Sequence, residues 1–594
     1  MTERRPLVLC LLCVREVILL HAVIRLNIGA AMSSLAFLCL LLLPTEMDSK
    51  SASENDTVVV TSSGPVKGKL VPAGSGTVTA YLGIPYAEPP LGKLRFQKPL
   101  PHQPWDHVLE ATDFGSSCHQ KTYFSSPYSN MWVARTPHSE DCLFLNIWVP
   151  HTQPSMPSPV LVWIHGGGFL VGTGSMDLYN GAFLAAAENV IVASINYRLG
   201  ALGFLYLPPD APGNVGLWDQ WLALKWVKEN AAAFGGDPDQ LTLLGHSAGA
   251  ASVGFHLLSP ASQPLFARAV LQSGAPNAPW AWRHPEDAKR TAIYFGHLLG
   301  CTAQNGSNVV SCFQGKNISG HLLSFLEIVF SPTTDGDFLS DEPQKILQTG
   351  LIQSKPLLIG VTGDDGSVFV APHLPGGIKN DGLLTWEQLL NGVKWLLRKK
   401  FEEEVAKGIA LQYNEGHGSE RYRWTLAQFA KDYYFVCPMA EVAAAMVAVG
   451  SPVYVYSFNH HISGSIWHEW MGAAHGAEVP YLFGTLASLL RTNQTYTEAD
   501  AALSSQMMQY WAEFARSGHP TGSKPNEVQW PLYNATEQHF FRISTEAPQV
   551  MQVSPAQHCG FLTEHFLNAT CKSLSHRDDA SLCQVNSGKN GTRT

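Results

Sequence analysis

The chain has 594 residues, of which 45% are hydrophobic and only 15% charged. Ordinary globular domains carry roughly 25% charge, so disorder driven by self-repulsion over the whole length is excluded. Lys and Arg number 39 against 48 Asp and Glu, a formal net charge of −9, which lacks the basic excess of a nucleic-acid binder. Length alone, at roughly 150 residues per domain, suggests about four domains.

The first element is a leader. Arg4 and Arg5 precede an apolar run that Glu16 interrupts, and a second run spans Ala30–Pro44. That second run, at about fifteen residues, is short for a membrane span and matches the core of a signal peptide. Met32 sits at its start, so translation beginning there is one reading, with cleavage between Glu46 and Ala52. The competing reading is an uncleaved signal anchor. Secretion is also suggested by seven Asn-X-Ser/Thr sequons, at Asn55, Asn305, Asn317, Asn493, Asn534, Asn568 and Asn590. Outside the leader stand eight cysteines, 118, 142, 301, 312, 437, 559, 571 and 583. An even number in an oxidising compartment fits structural disulfides, and with no C-x-x-C pair among these eight a zinc ribbon is a poor reading.

Short apolar runs then alternate with longer helical patterns. Val160–Ile164, Val190–Ile195, Leu241–Leu244, Ala269–Leu271, Leu357–Val361 and Val453–Phe458 read as strands. Trp218–Phe234, Ala248–Leu258 and Ala501–Ser517 read as helices, the first closed by Gly235-Gly236. Fully apolar strands interleaved with helices predict an α/β architecture: a large, mainly parallel central sheet covered on both faces. After Phe566 the sequence turns polar and reads as a tail.

Gly245-His246-Ser247-Ala248-Gly249 fits G-x-S-x-G and lies between a predicted strand and a predicted helix. That context makes a nucleophile elbow, a sharp turn that holds the Ser247 hydroxyl out of the sheet. The helix start behind it favours developing negative charge. His165-Gly166-Gly167-Gly168-Phe169 follows another predicted strand. Successive glycines let backbone N–H groups turn inward, so Gly167, Gly168 and Ala248 are the candidate donors of an oxyanion hole. His460, His461, His468 and His475 cluster, but His468-Glu469 lacks the second histidine of a zincin motif, so no metal site and no cofactor is expected.

Longer stretches carry a family resemblance. Ser139–Asn146 (SEDCLFLN), Ala231–Asp237 (AAAFGGD), Gly249–Pro260 (GAASVGFHLLSP), Ala269–Pro279 (AVLQSGAPNAP) and Glu469–Gly472 (EWMG) are among them. With these the chain resembles the type-B carboxylesterase and cholinesterase family of α/β-hydrolases, nearest its vertebrate cholinesterase branch, over roughly residues 60–565. The resemblance implies a secreted serine hydrolase that cleaves small carboxylic esters through an acyl-enzyme, with choline esters among the candidates. It places the catalytic acid at Asp365, where the family usually has Glu, with Asp364 as the neighbouring alternative, and the catalytic histidine at His475. It pairs Cys118 with Cys142, Cys301 with Cys312 and Cys437 with Cys559. Cys571 and Cys583 remain in the tail as possible oligomer links, and no lipid-anchor tail is read.

For the substrate pocket the resemblance implies Trp132 as the aromatic facing a choline cation, with Trp467, Tyr179, Phe369 and Glu478 lining or supporting the gorge. Trp280, Leu326 and Ile328 fall on the acyl side, the last two smaller than the family's phenylalanines. Three departures stand against a strong preference for choline: His246 replaces Glu before the nucleophile, the rim positions hold Leu170, Val368 and Pro372, and Leu326 and Ile328 replace two phenylalanines at the acyl pocket. The alternative is a catalytically weak or inactive adhesion or binding protein of the neuroligin kind. Because Gly167, Ser247 and His475 must converge, the four-domain expectation gives way to a leader (1–52), one hydrolase domain (53–566) and a polar tail (567–594).

Overall fold

The computed structural model describes residues 57–121, 132–151, 156–302, 309–316, 329–370, 383–398, 403–414, 418–490, 494–522, 528–551 and 556–566. Eleven strands form its main sheet: β1 (Lys69–Ala73), β2 (Gly76–Pro85), β3 (Phe144–Pro150), β4 (Ser158–Ile164), β5 (Ile191–Ile195), β6 (Gly236–His246), β7 (Arg268–Gln272), β8 (Leu357–Thr362), β9 (Val453–Phe458), β10 (Phe540–Ile543) and β11 (Gln549–Met551). Their spatial order is β11-β10-β9-β8-β7-β6-β4-β5-β3-β2-β1. From β10 through to β5 every neighbouring pair is parallel. The edges are antiparallel, β11 on one side and β3-β2-β1 on the other. The mainly parallel sheet of the sequence reading is therefore the centre of a mixed one. Hairpin-linked edge strands do not need the continuous apolar runs that betray a strand buried on both faces.

The central strands bury alternate residues into two separate clusters. Val160, Val162, Leu243, Leu271 and Ile359 pack on one face, and Leu161, Trp163, Leu244, Val270 and Leu358 on the other. This two-sided burial explains why such strands lack polar alternation, and it accounts for the low charge fraction. Helix α1 (Val215–Asn230) begins three residues before the predicted start, and its last predicted turn is a 3₁₀ segment, Ala231–Phe234. Helix α2 (Ala248–Leu258) matches its prediction, and every one of its residues is buried. The long C-terminal helix α3 (Glu498–Ser517) starts earlier than predicted because Thr497 and Asp500 form a reciprocal cap.

Cys118–Cys142, Cys301–Cys312 and Cys437–Cys559 are bonded as the resemblance implied. The last spans 122 residues, and loop-closure arguments give such a link about 2–5 kcal/mol. Asn534 is exposed; the other six sequons, Cys571 and Cys583 lie outside the described residues. No described helix is long and apolar enough to cross a membrane.

Candidate active site

Every piece of the candidate site follows the carboxyl end of a parallel strand, where open α/β sheets form their crevices. His165–Gly168 follow β4, Ser247 follows β6, Ser273 follows β7, Asp365 follows β8, and His475 lies in the connection after β9. Adjacent strands thus bring residues more than three hundred positions apart to one end of the sheet.

Ser247 has φ +57° and ψ −121°, a conformation that costs a non-glycine residue about 1–3 kcal/mol. The turn is held from both sides: Ser247 N–H donates to the Gln272 carbonyl at 2.8 Å, and Ala251 N–H donates to the Ser247 carbonyl at 2.9 Å. Close packing explains the small neighbours. A Cβ on Gly166 would come within 2.7 Å of the His246 carbonyl, and one on Gly249 within 2.0 Å of the Ile164 carbonyl. Gly167 adopts φ +114°, and its carbonyl accepts from Leu170 and Val171 N–H groups. Among the described residues, the N–H groups of Gly167, Gly168 and Ala248 donate to no protein acceptor, leaving three donors for a developing oxyanion.

Asp365 is fully buried. Its Oδ1 accepts from His475 Nδ1 at 2.8 Å; its Oδ2 accepts from the Ser273 hydroxyl at 2.8 Å and from Thr362 N–H at 2.9 Å. Asp364 faces elsewhere, its carboxylate accepting from Ala473 N–H at 3.0 Å. The geometry therefore separates the two neighbouring aspartates. The Ser247 hydroxyl makes no hydrogen bond to a described residue, an open arrangement common before substrate tightens the relay.

His246 lies between the two halves of the site. Its ring is 4.5 Å from the His475 ring, and it stacks on Trp132 at 5.6 Å with planes 13° apart. Burial, then the neighbouring His475, holds the His246 imidazole well below its usual pKa, so it is neutral. Among the described residues, neither ring nitrogen has a hydrogen-bond partner. Glu478 is buried beneath, accepting from Gln272 at 3.2 Å. Burial and the Asp365 charge push its carboxyl up to about 8. At neutral pH it is mostly protonated, so Asp365 does not face a second full negative charge.

The acyl-side expectation meets a feature the sequence did not reveal. Helix α4 (Arg421–Lys431) passes through a π-helical turn, Asp432–Val436, into α5 (Cys437–Ala448). Such turns widen a helix and often mark functional sites. Here the Tyr434 carbonyl accepts the Trp280 indole N–H at 3.1 Å, and Phe435 lies 4.7 Å from the His475 ring. Phe369 packs against both Phe435 and His475. Trp467 and Tyr179 are buried in the cluster on the Trp163 face of the sheet, and Leu170 and Val368 pack against that cluster. Leu326, Ile328 and Pro372 lie outside the described residues. Phe435, Tyr434, Ser273 and Thr362 were not singled out from sequence; Ser273 and Thr362 had a signal, their places inside the matched AVLQSGAPNAP and GVTGDDG stretches.

Comparison with known proteins settles the family. The sequence profile of the carboxylesterase family matches residues 55–562. The chain belongs to the carboxylesterase family. Among curated family members, the cholinesterase of Mus musculus is 42% identical over 529 residues, 86% of this chain and 87% of its own length. The acetylcholinesterase of Bungarus fasciatus is 41% identical over 540 residues, 88% of each chain. As a carboxylesterase, the protein is a hydrolase of small carboxylic esters. Nothing in the site favours the adhesion-protein alternative.

Proposed function

We propose that the protein is a secreted serine esterase in which Ser247 is the nucleophile, His475 the general base and Asp365 the orienting acid. The single observation that supports this most is the 2.8 Å contact between His475 Nδ1 and the buried Asp365 carboxylate, at the same end of the sheet as the strained Ser247. His475 takes the Ser247 proton as the hydroxyl oxygen attacks the ester carbonyl. The Gly167, Gly168 and Ala248 N–H groups hold the oxyanion; loss of one such donor costs about 10²–10³ in rate. The alcohol leaves with the proton from His475, and water then cleaves the acyl-enzyme by the same route. The leader (1–52), one hydrolase domain (53–566) and tail (567–594) belong to this reading. Secreted material whose amino terminus preceded Ser33 would contradict the leader.

Choline esters belong among the substrates on this reading. Trp132 offers an aromatic face to a quaternary ammonium, worth about 0.5–2 kcal/mol, and the cholinesterase relatives point the same way. The neutral His246 beside it supplies no counter-charge, so discrimination against neutral esters is weak. The family resemblance puts Leu326 and Ile328 where larger phenylalanines usually stand, which implies acceptance of butyryl or larger acyl groups.

The test is stoichiometric labelling with an organophosphate, followed by turnover of acetylthiocholine, butyrylthiocholine and a neutral aryl ester. Labelling on Ser247 with turnover of all three is expected. Intact protein that neither labels nor turns over would end the esterase mechanism. A second expectation concerns His246→Glu. A carboxylate there adds roughly one favourable charge contact, so kcat/KM for butyrylthiocholine relative to the aryl ester rises about tenfold, or about 1.4 kcal/mol. An unchanged ratio would remove Trp132 from the cation site.

A further inference from the structure

A cavity of about 590 Å³ lies beside the segment that carries Trp280, within the usual size range of ligand pockets. Asn277 and Trp282 line it, as do the side chains of Arg283 and Arg398. Arg283 spends one N–H on the Thr291 hydroxyl at 2.7 Å. Among the described residues, neither Arg283 nor Arg398 has a carboxylate within ion-pair distance, although two carboxylates line the same cavity. Those two are engaged elsewhere, Asp287 with Arg290 and Glu342 with Lys345 at 3.8 Å. Burial, and then the Arg398 charge, make Arg283 a weaker base than usual, offset in part by Asp287. Two like charges thus share a hollow whose carboxylates are paired with other side chains, and Arg398 is hydrogen-bonded to the Tyr434 hydroxyl. Arg398 is also held at φ +52°, a left-handed conformation uncommon for a residue other than glycine.

Two large aromatic side chains, Trp282 and Tyr294, also line the cavity. Trp282 is half-buried, with its indole N–H donating to the Thr334 hydroxyl at 3.3 Å, and Tyr294 is 58% exposed beside it. Paired guanidinium forks match a carboxylate, and aromatic faces suit a flat apolar body. We propose that this cavity binds an aromatic carboxylate, its charge between Arg283 and Arg398 and its ring against Trp282 and Tyr294. This goes beyond the esterase reading and does not depend on it, though ester hydrolysis itself releases carboxylic acids. The cavity also has a physical route to the site. The Tyr434 hydroxyl donates to the Leu396 carbonyl at 2.9 Å, two residues before Arg398, and the Tyr434 carbonyl holds Trp280.

The test is calorimetric titration of the full chain, with Ser247 blocked by an organophosphate, using benzoate as the probe. Benzyl alcohol and sodium sulfate serve as the neutral and inorganic comparisons. Benzoate binding is expected, weakened at least about tenfold by Arg283→Gln and by Arg398→Gln. Arg398 is exposed, so Arg398→Gln keeps the test open if Arg283→Gln fails to fold. Benzoate affinity unchanged in Arg398→Gln would overturn the proposal. So would benzyl alcohol or sulfate binding as tightly as benzoate, or an absence of benzoate binding to the unmodified chain.

Discussion

Ser247→Ala is expected to lower kcat for a neutral aryl ester by about 10⁶, with KM changed far less. Without the hydroxyl no acyl-enzyme forms, and the rate that remains comes from the unpaired Gly167, Gly168 and Ala248 N–H groups and from substrate binding. The fold should not report the change. The two backbone bonds that hold the elbow, Ser247 N–H to Gln272 and Ala251 N–H to Ser247, involve no side-chain atom. Alanine inherits the φ of +57° that serine already tolerates, so thermal stability should shift by less than about 1 kcal/mol. Three measurements decide it together: steady-state kinetics, a melting curve and mass spectrometry after organophosphate treatment. A variant that still turns over within tenfold of the parent would place the nucleophile elsewhere, and one that is inactive but unfolded would say nothing about chemistry. The melting curve separates these cases.

The parts of this site that could be read in sequence are those whose chemistry forces a local pattern. An elbow between β6 and α2 needs small residues because neighbouring backbone approaches within 2.0–2.5 Å of the missing side chains of Gly245 and Gly249, and so G-x-S-x-G is visible as text. Strands buried on both faces must be apolar throughout, and β4, β8 and β9 could be found by that alone. The antiparallel strands β1, β2, β3 and β11, and β10 beside β11, were not predicted, because none of them shows the continuous apolar run of a central strand. Likewise nothing in Asp432–Val436 announces a π-helical turn; whether a helix widens there depends on what packs against it, here Trp280 and Phe369. The state of His246 was equally hidden. Its identity could be read, but its neutrality follows from burial between Trp132 and His475. The resemblance located Asp365, and only the structure reveals why Asp364 does not compete for the imidazole.

Asp365→Asn is expected to cost about 10⁴ in kcat at neutral pH, through a tautomer rather than a lost charge alone. Both carboxylate oxygens of Asp365 accept: Oδ1 from His475, Oδ2 from Ser273 and Thr362. An asparagine has one oxygen and one NH₂ to set in those two places. The Thr362 backbone N–H can only donate, so it requires the amide oxygen at the Oδ2 position. The NH₂ must then face His475 Nδ1, which can meet it only as an acceptor. That drives the imidazole proton to the other nitrogen, the one that must be bare to take the Ser247 proton. Turning the amide over would restore the histidine but set NH₂ against Thr362 N–H in a fully buried pocket, at about 1–3 kcal/mol for the unsatisfied group. Asp364→Asn makes the control, since its oxygen can still accept from Ala473 N–H. It should lose less than tenfold. Kinetics on the two variants, with the His475 ring protons followed by NMR, check both halves of the expectation. If Asp364→Asn is the crippled variant and Asp365→Asn is not, the acid has been misassigned. If both retain activity, His475 is oriented by something other than either carboxylate.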